Sequence, residues 1–113
     1  MTAPQRTRLP NRRRGETTEI TIGITTLLAT VGFDAAGQPR EVFIDGAKDG
    51  SGLAAILDDA SVVISIALQH GISASALARS IARLPESLDG PATTPASAIG
   101  AALDLIAEYE RAV

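Results

Sequence analysis

The order of apolar patterns along the chain predicts an α+β domain, with a three-stranded antiparallel sheet followed by three helices. Three observations predict it. Glu19-Ile20-Thr21-Ile22-Gly23-Ile24 alternates polar with apolar or small residues, the two-residue period of a strand with one buried face. Two more β-rich runs, Leu27–Phe33 and Glu41–Asp45, flank the turn-forming stretch Asp34-Ala35-Ala36-Gly37-Gln38-Pro39, which predicts a hairpin. From Leu53 onward the apolar spacing changes to steps of three and four, the period of a helix.

Taken in order, residues 1–16 read as an extended basic arm and residues 17–113 as a single domain. The join between the first two strands falls near Thr25 and Thr26. Gly46, Gly50 and Gly52 loosen the chain before the first long helix, for which Ser51 is the expected N-cap. Leu53, Ile56, Leu57, Ala60, Val63, Ile64, Ala67 and Leu68 form one broad apolar face, expected to lie on the sheet, and Gly71 closes the helix. Ser73 is expected to cap a second helix carrying Leu77, Ile81 and Leu84, stopped by Pro85. Residues 85–93 read as a loop. Thr94-Pro95 is the expected start of a third helix with Ile99, Leu103, Ile106 and Tyr109 as its buried stripe.

Composition excludes several kinds of chemistry. The 113 residues contain no cysteine, so disulfides, thiolate metal sites and cysteine nucleophiles are ruled out. With one histidine, His70, a zinc site would need carboxylates for most of its ligands, and no cofactor is expected. Asp58, Asp59 and Ser61 interrupt the longest apolar stretch, and no secretory leader is visible, so the expectation is a cytoplasmic protein without a membrane span.

The net charge of −3 conceals an asymmetry. Arg6, Arg8, Arg12, Arg13 and Arg14 give the first fourteen residues +5, while the rest of the chain carries −8. Such an arm can hold a polyanion, an acidic partner or its own domain. Arg12, Arg13 and Arg14 are therefore the candidate anion- or partner-binding residues, because guanidinium forks match carboxylate and phosphate oxygens. Lys48 joins them from Gly46-Ala47-Lys48-Asp49-Gly50-Ser51-Gly52, a glycine-rich stretch ahead of a helix that lacks the P-loop order. The arm has no aromatic residue on which a base could stack. His70 reads as a helix-terminal residue complementing the dipole. Asp58 and Asp59 are adjacent on a helix, about 100° apart, and cannot easily serve one site.

Several segments in order resemble a known family. They are Leu9-Pro10-Asn11-Arg12-Arg13-Arg14-Gly15, Gly37-Gln38-Pro39-Arg40-Glu41-Val42-Phe43-Ile44, Lys48-Asp49-Gly50-Ser51, Ala60 to Gly71, and the last helix from Ala98 to Ile106. Together they resemble the C-terminal accessory region of adenosylcobalamin-dependent ribonucleoside-diphosphate reductases and the small TSCPD-domain proteins of the same type. The Thr-Ser-Cys-Pro-Asp motif that names the family corresponds to Thr93-Thr94-Pro95-Ala96-Ser97, which has neither the cysteine nor the Asp. No thiol or metal role of that motif carries over. The resemblance implies a reductase context, yet ribonucleotide reduction in that family runs through cysteine radicals and a cysteine pair. The expectation is a non-catalytic accessory domain acting through a protein partner or self-association. Nucleic-acid or nucleotide binding through the arginine arm is the second reading, and a subunit completing a reductase in trans is the third.

Overall fold

A computed structural model describes residues 5–7 and 9–113. The sequence alternation becomes β1 (Gly15–Ile22), β2 (Thr25–Phe33) and β3 (Pro39–Asp45), a sheet of order β1-β2-β3 with both pairings antiparallel. β1 takes up Gly15 and Glu16, ahead of the alternation at Glu19, and ends at Ile22. Gly23 and Ile24 make the first turn instead of continuing the strand, with Gly23 at φ +60° and Ile24 fully exposed. The hairpin between β2 and β3 forms as expected. Asp34 accepts from the N–H groups of Ala36 and Gln38, and Gly37 takes φ +85°.

The long helix α1 (Gly52–Gln69) begins at Ser51, whose hydroxyl accepts from the Ala54 N–H. It ends at His70 and Gly71, the latter at φ +86°. The helix runs beside β3, one of the two edge strands of this sheet, and satisfies backbone groups that would otherwise be exposed. Ser65 Oγ accepts from the Val42 N–H at 3.0 Å and donates to the Val42 carbonyl at 3.3 Å. Gln69 Nε2 donates to the Arg40 carbonyl.

The buried face of α1 is narrower than its apolar pattern predicts. Leu57, Ile64 and Leu68 are buried with Ser61, whereas Leu53, Ile56 and Val63 are exposed. Covering one strand edge and part of a sheet face needs a stripe of one residue per turn, not a half-cylinder. By length and composition α1 alone, among the described helices, could reach across a bilayer. In this fold it is packed along β3.

Two expected elements differ. The second helix, α2 (Ala74–Ala78), is a single short turn capped by Ser73, not a helix reaching Pro85. Pro85 disfavours helical backbone at Leu84 and would orphan the Ile81 carbonyl. Arg83–Pro85 instead forms β4, paired with β5 (Ala92–Pro95), where a loop was expected. The last helix, α3 (Ala98–Arg111), starts at Ser97 rather than Thr94, with the Ser97 hydroxyl accepting from the Gly100 N–H. Pro95 is consumed by β5, so the cap moves two residues past it.

The core lies between the sheet and α3, bounded on one side by α1. Ile20, Leu27, Ala29, Val31, Phe33, Val42 and Ile44 face Leu103 and Ile106. Phe33 meets Tyr109 edge-on, with ring centroids 5.1 Å apart. Glu110 of α3 accepts from the Ala74 and Ser75 N–H groups, which fastens the start of α2 to the end of α3.

Candidate interaction site

The described residues of the basic N-terminal segment lie against the rest of the chain. Thr7 N–H donates to the Gln69 carbonyl at 2.6 Å, and Arg6 Nε donates to Gln69 Oε1. Gln69, at the end of α1, is therefore bonded on one side to β3 and on the other to the arm. Arg13 grips Glu41 with two nitrogens, Nε to Oε1 and Nη2 to Oε2, the latter at 3.1 Å. The hydrogen bond that Arg13 donates to Glu41 holds its guanidinium above the ordinary pKa. Arg14 lies with its guanidinium carbon 3.9 Å from the Phe33 ring centroid and 3.7 Å, nitrogen to oxygen, from Glu16.

The candidate cations do not converge. Arg13 and Arg14 are engaged within the domain, and Arg12 is exposed. Lys48 is exposed in the loop before α1. The arm is tied at Gln69, the far end of that 18-residue helix, about 27 Å away along its axis. Arg8 lies outside the described residues. His70 Nδ1 stands 2.9 Å from the Ile66 carbonyl, a helix-closing contact. Asp58 and Asp59 are both exposed.

The stretch from Thr93 to Ser97 is structural. Thr93 to Pro95 lie in β5, and Ser97 caps α3. Arg83 donates to the Thr93 carbonyl and to both carboxylate oxygens of Asp104 on α3, which hold its guanidinium above the ordinary pKa. Among the described residues no three His, Cys, Asp or Glu side chains gather where they could hold a metal.

Pattern reading missed two concavities, one on each side of α1. The first is a groove of about 480 Å³ between α1 and β3, with Phe43, Asp58, Val62 and Ile66 on its walls and Arg6 at one end. The second is an apolar cavity of about 320 Å³ between α1, α2 and α3, bounded by Val63, Ala67, Leu77, Ile81 and Ile99, with Asp59 at its rim. The available signal was the excess of apolar residues on α1 over what one buried face requires.

These features define an α+β module whose polar side chains bind one another and whose long helix leaves an apolar side uncovered. The chain belongs to the TSCPD domain family, whose model matches residues 2–107. It is similar to the vitamin B12-dependent ribonucleotide reductase of Agrobacterium fabrum, 35% identical over 68 residues, covering 60% of this chain and 5% of that protein. The reductase of Rhodopirellula baltica is 38% identical over 69 residues, 61% of this chain and 7% of its own length. That of Streptantibioticus cattleyicolor is 38% identical over 69 residues, 61% and 12% respectively. The chain thus spans a small fraction of these relatives. No solved structure matches it.

Proposed function

We propose that this chain is a non-catalytic accessory domain of the reductase type, acting in the cytoplasm by binding a protein. The carrying observation is that a chain related to vitamin B12-dependent ribonucleotide reductases contains no cysteine, while α1 exposes Ile56, Val62, Val63 and Ile66. Without a cysteine thiol it has no atom to carry a thiyl radical or to exchange electrons through a disulfide. The family relationship supports a reductase as the partner, and the uncovered apolar surface supports association as the mode of action.

The reading is tested by capture. Purified chain, immobilised and washed at physiological salt, should retain the large cobalamin-dependent reductase subunit of the same cell. It should form no deoxyribonucleotide alone with adenosylcobalamin, a dithiol and a ribonucleotide. Turnover by the isolated chain, or failure to retain the reductase, would overturn it.

A further inference from the structure

The geometry points to the outer face of α1 as a docking surface for an amphipathic helix of a protein partner, with an apolar stripe flanked by Lys or Arg. This inference names the surface used in the proposed association and the chemistry that fits it.

The first support is area. Ile56, Val62, Val63 and Ile66 are 60, 58, 67 and 39% exposed, and Phe43, which lines the groove with Val62 and Ile66, is 51% exposed. Together they present on the order of 500 Å² of apolar surface, the scale at which a patch on a monomer marks an interaction site. The second is shape. α1 stands as an apolar ridge between two concavities, the α1–β3 groove and the α1–α2–α3 cavity. Large apolar side chains of a partner helix would seat beside Val62 and Ile66 on one side and Val63 on the other, as ridges of one helix pack into grooves of another.

The third support is charge, and it decides the occupant. Asp58 borders the groove and Asp59 the cavity, and the helical register places them on either side of the Val62–Ile66 stripe, with Asp59 between Ile66 and Val63. Neither forms an ion pair with a described residue, and Asp45 adds a third carboxylate on the groove side. α1 itself contains no Lys or Arg. Two copies joined through this face would bring four α1 carboxylates together with no cation from either helix, which disfavours self-pairing. A lipid surface is disfavoured for the same reason, since helices that lie on membranes present basic residues at the interface. A partner with basic flanks supplies a cation for each Asp while its stripe covers the ridge.

The test uses the full chain and a synthetic helical peptide of about 18 residues with a leucine stripe flanked by lysines. Three probes serve as controls: the same peptide with glutamates for lysines, a sequence-scrambled lysine peptide, and anionic vesicles. The lysine-flanked helix should bind, more weakly as salt rises, and the controls should not. Val63→Lys should weaken binding by at least about tenfold. Asp58→Asn with Asp59→Asn should remove most of the salt dependence. Both alter exposed positions, so an unchanged thermal midpoint certifies the fold. No binding, equal binding of the scrambled peptide, unchanged binding by Val63→Lys, vesicle binding, or self-association abolished by Val63→Lys would each overturn the proposal. If the reductase is still captured by Val63→Lys, this surface is wrong while the accessory reading stands. If the peptide binds and no reductase is captured, the accessory reading fails and the surface stands.

Discussion

Glu41 lies across the backbone of Gly32, in the space that a side chain at position 32 would fill. A Cβ built on Gly32 would overlap Glu41 Oε1 and stand 2.6 Å from Glu41 Cγ. The glycine thereby sets where the Glu41 carboxylate sits, and that position lets Arg13 hold it with two nitrogens. A pairing of neighbouring strands thus anchors an arm that enters from 28 residues away in sequence.

Gly32→Ala is expected to displace Glu41 and release Arg13. Overpacking of this kind costs about 1–3 kcal/mol. Thermal denaturation should show a lowered midpoint, and trypsin should cleave faster after Arg12 and Arg13. An unchanged midpoint with unchanged cleavage would mean that the arm is held elsewhere.

Gln69→Ala removes the side chain that joins β3 to the arm, leaving the Arg40 carbonyl without its donor. A loss of about 1 kcal/mol is expected, read by urea denaturation. Hydrogen exchange should rise at Thr7, whose N–H bonds the Gln69 carbonyl. Exchange at Thr7 as slow as in the parent would contradict the tie.

Asp34 should make stability fall in acid. Burial acts to raise its pKa, but the hydrogen bonds from Arg40, Gln38 and Ala36 outweigh it, so the folded value lies below the ordinary one. A carboxyl lowered by folding stabilises above its unfolded pKa of about 4, and that contribution disappears as pH falls through the folded value. Urea midpoints measured from pH 7 downward should therefore fall less steeply below about pH 4 in Asp34→Asn than in the parent. Parallel curves would refute the assignment.

Arg83→Met should loosen the β4–β5 hairpin from α3, because Asp104, the Thr93 carbonyl and the Ala78 carbonyl lose a shared donor. Hydrogen exchange should increase from Arg83 to Pro95 while the three-stranded sheet stays protected. Uniform loosening of the whole domain would show that the hairpin is not a separate unit.

The parts legible in sequence are those set by neighbours in the chain. Asp34 and Gly37 announce the β2–β3 turn, and Ser51 and Gly71 mark the ends of α1 through local hydrogen bonds and a left-handed glycine. The β4–β5 hairpin escaped because strands of three and four residues carry too little alternation to separate from a helical pattern. The start of α3 was displaced because Thr94-Pro95 and Ser97 are both sound caps, and strand pairing of Pro95 decides between them. At the site, the basic arm was visible as composition. Its attachment to Glu41 and Gln69 was not, because those contacts span 28 and 63 residues. The two concavities beside α1 arise from how little of the helix the fold covers, a tertiary fact that its repeating apolar spacing conceals.

The most direct measurement is a calorimetric titration of the large cobalamin-dependent reductase subunit with the parent chain and with Val63→Lys. The expected result is saturable binding by the parent, with a negative heat-capacity change from apolar burial, and at least about tenfold weaker binding by the variant. Absence of heat with the parent, or equal affinity for the two, would contradict association through the uncovered side of α1.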